Sequence, residues 1–449
     1  MNINLINQYN EETNLVNNTL KKIFKEFVTV SIENDGFLTT GTYSPTDYFS
    51  ERENMEKKYA KRGRYYNEVL VPKYWEIIGF GNDAQILDGN QLRGRIIYSS
   101  SRLRNRIVAS VEWFETSGKI YKKDYYDQYG TIYKEVQYVD NQPVTEFYLN
   151  PQGQIRIQHS LKSGLYTIFQ ANGDMKAYNN VIDLTKAYIE AKFVNIDKLF
   201  FNSLSVDFMV ANRITSAKES VLMWHEKIGT AIPGNMLTFL SNEELSRKVI
   251  IQDKTSYENF DQIYEGNDRD KVHYLNYNYT LEPRSNRLEH NNAFVLTNTD
   301  DVVNLGALIK NAPSIHFHIA AFTQMSDKLK QFESEDNVTL YQSANTIVID
   351  NIWDKTDIYL DINRGSEMDN VLKTAFIRQI PIIGFTSTIH NQKFVHKKGQ
   401  YLETNESEMI RDLNMIADNS DEWRNLVDQQ IANVDMATLD DYRAVMGLH

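Results

Sequence analysis

Apolar positions change rhythm three times along the chain. Residues 3–6 form a short apolar run, and residues 11–27 follow with Leu15, Leu20, Ile23 and Phe24 on one helical face. Residues 27–32 (FVTVSI) are β-branched and read as a strand, so the opening is a βαβ unit. From residue 74 to 178 the period becomes two. Runs at 95–98, 107–114, 132–138, 144–148, 155–158 and 166–169 alternate as strands do. Between them one turn recurs, at 113–118, 125–130, 148–153 and 169–173: an aromatic strand end, polar residues, then glycine. Glycine accepts the positive φ of a hairpin turn, which predicts an antiparallel meander. From residue 183 the α/β rhythm returns. A helix is expected at 184–193, strands at 204–210, 221–224 and 236–240, and a helix at 242–248. The last part alternates strands at 293–296, 315–320, 338–341, 358–362 and 380–385 with helices that include 302–311 and 368–377. Such alternation predicts a doubly wound parallel sheet.

The change of period sets the expected domains. Residues 1–66 and 181–284 form a discontinuous Rossmann-like domain, and 67–180 an inserted extended β-sheet domain. Residues 285–449 form a second Rossmann-like domain that ends in a helical tail over 407–448. The charged segment 51–66 reads as a linker or a short helix entering the next domain, and Leu281-Glu282-Pro283-Arg284 as the joint between the two α/β parts.

Composition narrows the function. The chain has 449 residues, enough for two or three domains, and a net charge of −12, which does not favour nonspecific nucleic-acid binding. It has no cysteine, so disulfides and cysteine-held metals are excluded, as suits a reducing compartment. The start, MNINLINQYNEETN, lacks a basic segment and a long apolar run, so no secretory signal is expected. No run approaches the ~20 apolar residues of a membrane-spanning helix.

The stretch 358–385, IYLDINRGSEMDNVLKTAFIRQIPIIGF, reads strand, loop, helix, strand. Ligands of parallel sheets bind at the carboxyl ends of such strands. The unit resembles the donor-sugar element of retaining GT-B glycosyltransferases, where two glutamates eight positions apart precede a G-x-P and an apolar strand. Counting back from Pro381, those glutamate positions fall on Ser366 and Thr374, and the glycine on Gln379. Glu367 lies one position out of register. Two further segments, Asp35-Gly36-Phe37-Leu38 and Ser44-Pro45-Thr46-Asp47-Tyr48-Phe49, resemble motifs of one family, as does the W-x-E-x-I-G-x-x-I-P-G-N-M segment from Trp224 to Met236. That family is the stabilising subunit of the two-protein glycosyltransferase that puts GlcNAc on serine-rich bacterial adhesins in the accessory Sec system. It also carries an extended β-sheet insertion.

The resemblance implies an α/β, GT-B-like pair of Rossmann-like domains with an inserted antiparallel β-sheet domain. It implies a chaperone-like protein with no transferase activity of its own and no cofactor. Its partners would be the catalytic glycosyltransferase subunit and the unmodified serine-rich repeat adhesin polypeptide, with UDP-GlcNAc used by the catalytic subunit. The location would be cytoplasmic, with peripheral attachment to the inner membrane face left open. Two alternatives stay open: an active retaining GT-B enzyme with a divergent donor site, and an interaction module unrelated to sugar.

Other candidates weigh less. The first strand of the last domain leads into Thr297-Asn298-Thr299-Asp300-Asp301, where aspartates would repel a diphosphate; Thr299 and Asp300 read as a helix N-cap with an acidic first turn. His316 and His318 share a strand face but lack a third ligand, so they read as sheet histidines and no metal is expected. His225 stands at a strand end without an evident catalytic partner beyond Glu226. Arg93, Arg95, Arg102, Arg104 and Arg106 read as a solvated sheet face. Tyr125, Tyr126, Tyr129 and Tyr133 are read as exposed and as candidates to hold the acceptor polypeptide, the alternative being that they pack within the protein.

Overall fold

The computed structural model describes all residues except 56–61, 82, 100–105, 243–244, 285–288 and 449. The chain divides into two compact units, residues 1–278 with 437–449, and residues 279–436.

The first unit holds two sheets. One is parallel, with strand order Val272–Tyr274, Ser246–Ile251, Glu219–Trp224, Lys198–Phe201, Asn2–Ile6, Phe27–Ser31 and Thr42–Tyr43. Asn2–Ile6 is buried at every position because helices cover both faces. On one face lies the helix Glu11–Ile23, started by Asn10, whose side chain accepts from Thr13 N at 2.7 Å. It presses Val16, Leu20 and Phe24 onto Phe200, Val221 and Ile250. The final helix, Leu439–Val445, completes that face with Tyr442, whose hydroxyl donates to Asn276 O at 2.9 Å.

The other sheet is an antiparallel meander of ten strands among the described residues, from Glu76–Gly79 to Met175–Tyr178, paired in chain order. The recurring turns close as the sequence predicts. Gly118, Gly130, Gly153 and Gly173 each have positive φ, and each N–H donates to the carbonyl three residues earlier at 2.9–3.0 Å.

The second unit is a parallel sheet in the order Val338–Tyr341, His316–Ala320, Asn292–Leu296, Ile358–Asp361, Ile382–Phe385 and Gln400–Tyr401. Helices Glu406–Asp418 and Ser420–Asn433 pack Met409, Leu413, Trp423 and Val427 against it.

Several elements differ from the sequence reading. Residues 204–210 and 236–240, expected as strands, are the helices Val206–Ala211 and Gly234–Leu240. Short apolar runs do not separate strand from buried helix by period alone, and here Ser205 and Pro233 start helices. The expected helix at 242–248 overlaps the strand Ser246–Ile251, while 243–244 lie outside the described residues. The helices Lys254–Ile263 and Thr346–Trp353 went unread. The division between units falls at Asn278 and again at Met436, not at 284 alone.

Candidate functional site

In the second unit the strand Ile358–Asp361 runs into the loop that carries Ser366. Asp361 is buried. It accepts from the backbone N–H of His390 at 2.8 Å and from His390 Nδ1 at 2.7 Å. The other ring nitrogen, Nε2, lies 2.6 Å from the carbonyl of Gly365. A carboxylate on one side and a carbonyl on the other both favour a donor, and so favour the protonated ring. Burial pulls the His390 pKa down, but the Gly365 carbonyl and Asp361 outweigh it and hold it above its usual value. Burial likewise raises Asp361, against the pull of His390.

The rest of the loop is tied to itself. Asn363 Oδ1 accepts from Gly365 N at 2.8 Å and from Thr297 Oγ1 at 3.1 Å. Asn298 Nδ2 donates to Ser366 Oγ at 2.9 Å. A Cβ added to Gly365 would fall 1.8 Å from Asn298 Oδ1, so only glycine lets the asparagine come this close. Ser366 is exposed, and Thr374 is half-buried inside the helix Val371–Ile377. Neither offers a carboxylate. Glu367 instead accepts from the N–H of Leu372 at 3.4 Å, in the first turn of that helix. Gln379 takes φ +56, a left-handed conformation that favours glycine, and its amide accepts from Arg284 Nη2 at 3.2 Å.

Thr299 and Asp300 do not cap a helix, as expected above. The helix Leu305–Asn311 starts later, after Asn304. Thr299 Oγ1 accepts instead from Asp301 N at 3.1 Å, a local turn that competes with helix initiation. Asp300 accepts from Ser326 Oγ at 3.0 Å. Arg364 lies 3.6 Å from Asp301 and 2.6 Å from Glu403, so this cation is already engaged by carboxylates.

The first unit holds a second polar cluster where the 35–38 turn meets the meander. Gly36 has φ +84, and its carbonyl accepts from Gln128 N at 2.7 Å. Gln128 Nε2 donates to Leu38 O at 3.1 Å, and Tyr133 OH to Asn34 O at 2.9 Å. The helix Pro45–Phe49 brings up Asp47 and, just beyond it, Arg52. Arg52 and Asp127 are each 4% exposed and form an ion pair. Arg52 Nη1 also donates to Leu149 O at 3.1 Å, and Asp127 Oδ1 accepts from Tyr129 N and Thr131 N at 3.0 and 2.9 Å. Burial pushes Asp47 up to about 7; Arg52 opposes this and Asp127 adds to it.

The tyrosines do not form one exposed face. Tyr126 and Tyr133 are buried. Tyr126 packs with Ile86, Ile96 and Val111, and Tyr133 lies against the 35–38 turn. Burying a large ring whose hydroxyl finds a partner, as Tyr133 does at Asn34, is favourable. Tyr125 is half-buried between the ammonium groups of Lys123 and Lys134, 5.3 and 4.3 Å from its ring. Tyr129 is half-buried beside the 35–38 turn.

The remaining candidates are structural. His316 Nε2 pairs with Thr339 Oγ1 at 2.8 Å, and His318 with Tyr341 OH and Asn292 Oδ1 at 3.1 Å each. Burial lowers His318 to about 4. His225 is half-buried just past the strand Glu219–Trp224. Arg95 pairs with Asp83 at 2.8 Å, and Arg93 and Arg106 stack on Trp75 and Tyr66, as suits a solvated sheet face. Arg102 and Arg104 lie outside the described residues. No helix among the described residues is long and apolar enough to cross a membrane.

Two parallel α/β sheets and an antiparallel sheet inserted in the first part define a GT-B-like protein. Comparison with known proteins narrows the class. Residues 75–179 match the GtfB middle domain, 181–263 the GtfB third domain, and 293–430 the GftB/GlyA-F C-terminal domain. The chain is 32% identical over 422 residues to the UDP-N-acetylglucosamine–peptide N-acetylglucosaminyltransferase stabilizing protein GtfB of Streptococcus agalactiae, covering 93% of this chain and 92% of that one. It is 30% identical to the protein of the same name from Streptococcus gordonii, covering 88% and 86%. The chain belongs to this GtfB family of stabilising proteins. It superimposes with a TM-score of 0.87 and 27% identity, over 99% of both chains, on a chain of the crystal structure of the GtfA/B complex bound to UDP and GlcNAc.

Proposed function

We propose that this chain is the stabilising, non-catalytic subunit of a protein O-GlcNAc transferase complex. It binds the catalytic glycosyltransferase subunit and the unmodified serine-rich adhesin polypeptide, and the partner attaches GlcNAc from UDP-GlcNAc as the first sugar. The observation that carries this is the donor loop. Ser366 and Thr374 stand where glutamates would hold a sugar nucleotide, and Asn298, Asn363 and His390 take up the loop's polar groups. Membership of a family of stabilising proteins supports the same reading.

In this reading residues 1–66 with 181–284 and residues 285–449 are the two Rossmann-like domains, the tail from 437 joining the first unit, and 67–180 is the insertion that contacts acceptor. The complex works in the cytoplasm, with attachment to the inner face of the membrane left open. Size-exclusion chromatography of this chain mixed with its catalytic partner tests the assembly. One larger species is expected, held by an interface of at least ~1,000 Å². Two separate peaks at micromolar concentrations would overturn the proposal.

A further inference from the structure

Two sequence motifs, the 35–38 turn and the 44–49 segment, play no part in the donor loop. In the structure they close on the turn at 127–130 and leave a partly open cavity of about 20 Å³. That is room for one water-sized group. Its wall carries Asp47, Arg52 and Asp127, with Leu38, Gln128 and Tyr129 beside them. Arg52 and Asp127 are more than nine-tenths buried and fixed by backbone hydrogen bonds, so the polar floor is preorganised. Asp47 stands beside this ion pair, its carboxyl raised by burial.

We propose that this pocket is a subsite for a serine or threonine side chain of the acceptor polypeptide. The proposal rests on reading the chain as an acceptor-binding subunit. A hydroxyl gives and takes one hydrogen bond in the space of a water, which matches a floor of one cation and two carboxyl groups. A methyl group would make no hydrogen bond with that floor. A serine-rich chain presents such a group in almost any register. One pocket therefore selects for composition without fixing a sequence. Tyr129 beside the turn supplies a ring against which the polypeptide backbone can lie.

The test uses the full chain and a fluorescent serine-rich peptide, with anisotropy as the readout and an alanine-for-serine peptide as control. Leu38→Trp fills the pocket, and Tyr129→Ala removes its aromatic wall. Denaturation midpoints and assembly with the catalytic partner are measured alongside. Leu38→Trp is expected to assemble normally yet bind the serine peptide roughly tenfold more weakly, the equivalent of one lost hydrogen-bonded anchor. The alanine peptide should bind wild type as weakly. If Leu38→Trp does not fold, Tyr129→Ala is read by the same criterion. A folded, assembling variant with wild-type serine-peptide affinity overturns the pocket while leaving the acceptor reading intact. Failure of the wild type itself to bind the serine peptide overturns both.

Discussion

Asn298 and Ser366 face each other in the loop after the strand Ile358–Asp361, the asparagine Nδ2 2.9 Å from the serine Oγ. A glutamate at 366 would have to displace this amide before it could reach a sugar hydroxyl. Each charged hydrogen bond lost from a donor pocket costs about 1.5–3 kcal/mol. Losing two therefore weakens donor binding by roughly two to four decades, if the terms add.

The isolated chain is accordingly expected to give no saturable heat with UDP-GlcNAc in calorimetry at micromolar protein. Ser366→Ala and Thr374→Ala should leave transfer by the assembled complex unchanged. A micromolar dissociation constant, or transfer lost in Thr374→Ala, would show a living donor site.

Gly36 and Gly41 separate strain from contact. Both have positive φ, +84 and +81. A Cβ at Gly36 would meet the Tyr126 carbonyl and the Tyr133 ring at 2.8 Å, whereas at Gly41 nothing lies within 4 Å. Gly41→Ala should cost only the left-handed backbone penalty of about 1–2 kcal/mol. Gly36→Ala should cost about 1–3 kcal/mol more, because the turn must also leave its seat on the meander. Urea denaturation of the two variants measures the difference, and equal losses would mean that the turn is not seated there.

Asp47 sets a pH dependence. Its pKa rises from 3.8 unfolded to about 7 folded, chiefly through burial. The folded state therefore holds more protons between those values, and stability falls as pH rises through that window. A shift of about three units corresponds to about 4 kcal/mol, and the exposed part of the residue reduces this to roughly 2. Asp47→Asn should flatten the fall in stability between pH 4 and 7 and exceed the wild type above pH 8, as read by thermal unfolding across pH. Parallel pH profiles for the two proteins would contradict the assignment.

Much of this was legible in the sequence, for identifiable reasons. The hairpin turns at 113–118, 125–130, 148–153 and 169–173 repeat one local code, so the meander follows from residue types alone. Buried parallel strands such as 358–361 announce themselves as apolar runs. Residues 204–210 and 236–240 were misread because short apolar segments look alike until tertiary packing chooses. Within the loop after Ile358–Asp361, the positions proposed for the glutamates of donor-binding relatives, 366 and 374, could be counted from Pro381. The groups that fill their place could not. Asn298 lies 68 positions from Ser366, and His390 lies 29 from Asp361. Arg52 likewise finds Asp127 across 75 positions of an inserted sheet. Tyr126 and Tyr133 looked exposed because alternation does not say which face of a sheet another segment covers.

The central claim is that this chain promotes transfer without performing it. The direct measurement is incorporation of labelled GlcNAc from UDP-GlcNAc into a serine-rich polypeptide by this chain alone, by the catalytic partner alone, and by both together. No incorporation by this chain, little by the partner, and a large increase when the two are mixed are expected. Incorporation by this chain alone, or no gain on mixing, would contradict it.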